Sequence, residues 1–119
     1  MTTAETLGLL AETDRTFYRR GGLWVGKCLI CNGPIAFEAK TGEGATIEHI
    51  RARSRGGIET LDNMGVVHAR CNHEKGRRWD PKRKCSDAEY DAFILGILDR
   101  RRERWREPSL RTGPRAGPK

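Results

Sequence analysis

Two pairs of metal-ligating residues in the chain share one internal spacing: Cys28-Leu29-Ile30-Cys31, in a turn that closes on Asn32-Gly33, and His68-Ala69-Arg70-Cys71. A turn of this kind can present two thiolates to one ion, and the second pair completes a set of three sulfurs and one nitrogen, which suits tetrahedral zinc. Four protein ligands leave no open position for a substrate, so such an ion is structural and its binding energy supplements the core. Cys85 is the rival fourth ligand; it lies beyond Pro81 and a basic run and reads better as a packing thiol near the start of the last helix. Between the two half-sites stands a second constellation, Thr46-Ile47-Glu48-His49-Ile50, which sets a carboxylate against a histidine and then runs through Arg51, Arg53 and Arg55 into Gly56-Gly57. On its own, such a pair is more often the polar edge of a strand than a reacting pair.

The elements that position these residues are legible from periodicity. Residues 3–20 place Leu7, Leu10, Phe17 and Tyr18 at helical intervals, and Gly21-Gly22 would stop that helix. From Leu23 to Glu48 the texture changes to short β-prone runs, LWVGKCLI, PIAFEA and ATIEHI, separated by NGP and TGEG. Arg51 to Leu61 is a polar, basic loop. Met64 to Val67 extends briefly before a short helix from about Ala69 to Arg78, which Pro81 prevents from continuing. Ser86-Asp87-Ala88-Glu89 is a capping box that opens a 3,4-spaced apolar face of Tyr90, Phe93, Ile94, Ile97 and Leu98. This helix is expected over about 86–105, and 108–119 has the Pro, Gly and charge content of a disordered basic tail. The fold expected is thus one small α+β domain, residues 1–107, with a core over about 21–80 flanked by N- and C-terminal helices.

Order and spacing across residues 28–76 resemble the zinc-containing HNH endonucleases, whose nuclease core is a ββα-metal (His-Me) finger. The resemblance rests on Cys28-x2-Cys31, Glu48-His49-Ile50, Gly56-Gly57, Leu61-Asp62-Asn63, His68-x2-Cys71-Asn72 and Lys75, with Asn63 14 positions after His49 and Asn72 9 after Asn63. It implies that His49 is the general base that deprotonates the attacking water, that Glu48 and Asn72 bind a divalent cation, and that Asn63 holds the loop that orients the base. His73, next to Asn72, is the alternative ligand. Oxygen donors favour Mg²⁺ or Mn²⁺ at that position, and the implied products carry 5′-phosphate and 3′-hydroxyl ends. Elementary chemistry agrees with this division. A histidine titrates near neutrality, neighbours in an extended strand point to opposite sides, and Cys71 and Asn72, about 100° apart on a helix, can face zinc and groove respectively. Lys75, on the same face as Asn72, together with Arg51, Arg53 and Arg55, is expected to touch phosphates. Glu48 is one methylene longer than the family's usual aspartate, and Gly76 stands where some members carry a further histidine.

Composition narrows the alternatives. The 119 residues carry a formal net charge of +7 with pI near 9.7, which favours a polyanionic partner because neutralising phosphates releases counterions. Residues 100–119 hold eight basic side chains against two acidic ones, a net +6 that suits either a solvated helix end or a nonspecific grip on DNA. No apolar run approaches the roughly 20 residues of a membrane span, and the acidic N-terminus is unlike a signal peptide, so a reducing cytoplasm is expected. The rival to a nuclease is a zinc-stabilised module without catalysis that binds DNA or docks on a larger DNA-processing complex through its C-terminal helix.

Overall fold

A computed structural model describes residues 1–108; the expected tail falls, from residue 109 on, outside the described residues. Helix α1 (Thr3–Glu12) starts at a capping box formed by Thr2 and Glu5 and turns Leu7, Leu10 and Ala11 into the core. The expectation that it continues to residue 20 is corrected, because side chains capture the backbone first. The Thr13 hydroxyl donates to Leu10 O at 2.9 Å, and Asp14 Oδ1 accepts from the Thr16 amide at 2.8 Å and the Thr16 hydroxyl at 2.7 Å, local bonds that compete with helical ones. The chain then extends as strand β1 (Tyr18–Arg20), and Gly21-Gly22 forms a hairpin turn, with Gly21 at φ +61°, rather than a helix stop.

Strand β2 (Leu23–Lys27) lies between β1 and β3 (Pro34–Glu38) in an antiparallel sheet. Phe17 covers Gly26 so closely that a β-carbon there would collide with the ring, and it packs at 6.1 Å from the Phe37 ring. The second sheet is the hairpin of β4 (Thr46–His49) and β5 (Met64–Val67), in which Glu48 pairs with Gly65 and His49 with Met64. After His68, β5 leads into helix α2 (Ala69–Arg78), completing the ββα unit anticipated from the sequence and an α+β fold. Every residue of β5 is buried, and α1 packs on both strands of this hairpin. No helix among the described residues is long and apolar enough to cross a membrane.

Helix α3 (Asp87–Arg104) starts at the Ser86/Glu89 capping box and buries Tyr90, Ile94 and Ile97. Its basic end does something the charge pattern does not announce: the guanidinium groups turn inward onto backbone carbonyls. Arg100 donates to Leu29 O and Ile30 O in the cysteine knuckle at 2.7 and 2.8 Å, and Arg104 donates to Lys27 O at 3.0 Å and also to Asn32 Oδ1. Arg101, 2% exposed, joins Met64 O, Leu61 O, Thr13 O and the Thr13 hydroxyl. Arg106 collects the carbonyls of Ala11, Glu12, Asp14 and Phe17 where α1 gives way to β1. A guanidinium offers five donors in a rigid fork, so one side chain can satisfy several chain ends at once. Three of the cations expected at a solvated helix end or on DNA, Arg100, Arg101 and Arg104, are therefore clamps within the fold, and Arg106 ties the end of α1 while staying exposed.

Replacing Arg101 by methionine keeps the bulk and orphans these acceptors, which should lower the unfolding free energy by about 3 kcal/mol or more. Arg102→Ala, which removes an exposed pair with Asp99, should change it by no more than about 0.5 kcal/mol. Urea denaturation of the two variants beside the wild type checks the contrast.

Candidate active site

The ligand atoms of Cys28, Cys31, His68 and Cys71 lie within 4.8 Å of one another. Two turns bring them together. The first is the knuckle between β2 and β3, where Asn32 adopts φ +64° and the Cys28 amide donates to Gly33 O at 2.8 Å. The second is the junction of β5 and α2, where His68 is the N-cap residue and Cys71 sits in the first turn. His68 Nε2 donates to Pro34 O at 2.9 Å, which leaves Nδ1 as the bare nitrogen, 3.4 Å from Cys31 Sγ and 3.7 Å from Cys71 Sγ. These separations fit the edges of a tetrahedron with Zn–S near 2.3 Å and Zn–N near 2.0 Å, and the outer bond of the imidazole fixes its tautomer for a metal. The Gly33 amide, donating at 3.3 Å, is the largest influence drawing the Cys31 thiol down to about 7, whereas burial pushes Cys71 up to about 12. Cys85 lies apart, beside Trp79 O and Arg55 in the turn between α2 and α3. The cluster can thus hold zinc without it.

The Glu48-His49 pair divides as an extended strand requires. Glu48, 6% exposed, faces α2 and places Oε2 2.5 Å from Lys75 Nζ. Burial raises its carboxyl above the usual range even though Lys75 opposes that shift. His49 leaves the other side of the strand, bordering a pocket with Met1, Thr6, Ile47, Glu59, Leu61 and Met64. Its Nε2 lies 3.2 Å from Glu59 Oε2, and Arg53 pairs with the same carboxylate oxygen. Those two partners, Arg53 first, hold the Glu59 carboxyl below its ordinary range. Glu59 had no signal in the sequence beyond being one acidic residue in a polar loop.

Asn63 is buried behind this loop. Its Oδ1 accepts from the Arg51 amide at 3.0 Å, and its Nδ2 donates to Arg51 O at 3.2 Å and Ile58 O at 2.8 Å. One amide side chain therefore ties both ends of the 51–58 segment to the start of β5. Asn72 is half-buried on α2 and, with Ala69, His73, Gly76 and Arg77, lines a shallow groove.

Two of the four expected phosphate contacts need correction. Lys75 is 2% exposed and is committed to Glu48, to Asp80 at 2.9 Å and to His49 O at 3.2 Å. Helical spacing put it on the face of Asn72 but could not show that this part of α2 turns toward β4. Arg55, with 3% of its side chain exposed, donates to the carbonyls of Trp79, Asp80 and Pro81, and its guanidinium lies 4.1 Å from the centre of the Tyr90 ring. It closes the α2–α3 turn. Arg51 pairs with Asp91 at 3.0 Å yet stays partly open, and Arg53 is exposed.

Residues 28–78 match the HNH endonuclease family. The match covers this segment and not the chain as a whole. It contains the Cys28/Cys31/His68/Cys71 cluster, Glu48, His49, Asn63 and Asn72, while α1, α3 and the arginines at the end of α3 lie outside it. No curated protein and no solved structure matches the chain. The HNH segment supports a nuclease-type, metal-binding function directed at DNA.

Purified protein should carry about one zinc ion per chain, the content of a four-ligand structural site. Cys31→Ser should lose the metal and unfold, and Cys85→Ser should keep both metal and fold. Elemental analysis with circular dichroism reads the outcome, and zinc loss in the Cys85 variant would show that the fourth ligand is misassigned.

Proposed function

We propose that the protein is a metal-dependent DNA endonuclease that hydrolyses phosphodiester bonds to 5′-phosphate and 3′-hydroxyl ends. The observation that carries this reading is the split of Glu48 and His49 to opposite sides of β4, within an HNH segment whose Asn63 pins the following loop. Such a split lets one side chain handle a proton while the other handles a cation.

His49 accepts the proton of the attacking water as the water oxygen bonds to phosphorus, and the bond from phosphorus to the 3′ oxygen breaks, that oxygen taking a proton from solvent water to leave as the hydroxyl. Glu59 fixes the imidazole through Nε2, leaving Nδ1 to face the water. Asn63 keeps the loop that carries Glu59 closed on β4. The donors fit a hard divalent ion: the Lys75 ammonium lies nearest Oε2 of Glu48, and a carboxylate has a second oxygen to offer a cation. With the Asn72 amide oxygen and water, that is the oxygen-rich set that Mg²⁺ or Mn²⁺ takes. Such an ion, when bound, supplies positive charge for the phosphate and for the departing oxygen. Arg51 and Arg53 are left as the expected backbone contacts from the 51–58 loop, and the free thiols of the zinc cluster suit a reducing compartment such as the cytoplasm.

Zinc-loaded protein should nick or linearise plasmid with Mg²⁺ or Mn²⁺, EDTA should stop it, and His49→Ala should lower the rate at least about 100-fold, the usual weight of a general base, while DNA retardation persists. Folded, zinc-loaded wild type that leaves plasmid intact with every divalent ion would favour the non-catalytic DNA-binding or docking module instead.

A further inference from the structure

Lys75 sits between two carboxylates contributed by different parts of the chain. Its ammonium is 2.5 Å from Glu48 Oε2 on β4, and 2.9 and 3.2 Å from the two oxygens of Asp80, which lies just past the end of α2 and outside the HNH match. Asp80 is itself held. The Tyr90 hydroxyl of α3 donates to its Oδ1 at 3.2 Å while accepting the Ala52 amide at 2.9 Å, and its carbonyl accepts from Arg55 Nε at 2.9 Å. Two carboxylates around one ammonium leave this cluster with a net charge of −1.

We propose that Asp80 and Lys75 together set the affinity of Glu48 for a divalent cation, with Asp80 acting as a positioning residue that shares the ammonium with the metal-binding carboxylate. The inference rests on the divalent-ion reading of Glu48 above. Paired with Lys75 alone, Glu48 would be neutralised, and an incoming dication would meet a positive charge on its own ligand. Asp80 takes that ammonium with both of its oxygens and returns a negative charge to the site. The extra methylene of Glu48 has the same use, since a longer carboxylate reaches the buried ammonium with one oxygen and leaves the other for the ion. Tyr90 and Arg55 keep Asp80 in place, which makes α3 part of the electrostatics of the site and not only its cover.

The test is titration of Mn²⁺ into zinc-loaded protein, with free Mn²⁺ read by electron paramagnetic resonance, so the result does not depend on cleavage. Asp80→Asn, nearly the same in shape, removes one negative charge and should weaken Mn²⁺ binding about tenfold, while Lys75→Met removes the competing cation and should tighten it about tenfold. Asp99→Asn, which removes an exposed carboxylate paired with Arg102, should leave the affinity unchanged. If Lys75→Met fails to fold with two uncompensated carboxylates, Asp80→Asn still decides. Equal affinity in Asp80→Asn and wild type, with both folded, overturns the proposal and leaves the cluster as a structural clamp. Wild-type protein that binds no Mn²⁺ overturns both this proposal and the divalent-ion reading, whereas binding that ignores Asp80 spares the latter.

Discussion

The ammonium of Lys75 is the point on which the active half of the molecule turns. An isolated charge at 2% exposure would be untenable, and it is sustained here because Glu48, Asp80 and His49 O surround it. These partners come from two structural pieces: the strand that carries the proposed base, and the turn that leads from α2 toward α3. Satisfying one buried cation therefore fixes the distance of α2 from β4, the direction of the Glu48 side chain and the approach of α3 through Tyr90 and Asp80. Removing the ammonium would leave the buried Glu48 carboxylate facing that of Asp80, and this couples the position of the helix to the electrostatics of the strand.

The same economy governs the rest of the fold. With 119 residues and short strands, the apolar core is limited, and the chain ends and turns around it would otherwise carry unmet carbonyls. Arg55, Arg100, Arg101, Arg104 and Arg106 meet them, each with a planar fork of donors, so α3 is fastened to the cysteine knuckle, to β5 and to the end of α1. A sizeable part of the +7 charge is thus consumed inside the protein. Net charge indicates a polyanionic partner only to the extent that it stays on the surface, and here much of the apparent grip is internal scaffolding.

Several features were legible in the residues alone because they depend on spacing. The Cys28/Cys31 and His68/Cys71 half-sites converge because each pair lies within one tight turn, and Glu48 and His49 diverge because a strand alternates its side chains. The ββα unit and the capped α3 followed from β-prone runs and from capping-box chemistry, both of which act over a few residues. The end of α1 is not legible in apolar spacing because the decisive bonds come from Thr13 and Asp14, whose side chains stop the helix before that spacing ends.

By itself, then, the sequence determined the local grammar: the Cys28, Cys31, His68 and Cys71 set that could hold zinc, the order in which Glu48, His49, Asn63 and Asn72 resemble the HNH pattern, and the α+β class. Only the tertiary structure decided which cations face water. Arg55 and Lys75 look in the sequence like Arg53, a basic side chain in a polar neighbourhood, and differ from it only in whether carbonyls and carboxylates from residues far along the chain or in another element close around them. Burial is a property of those distant neighbours, so periodicity within one element cannot report it. For the same reason Glu59 could be recognised as the partner of His49 only after the loop between them had folded back on the strand.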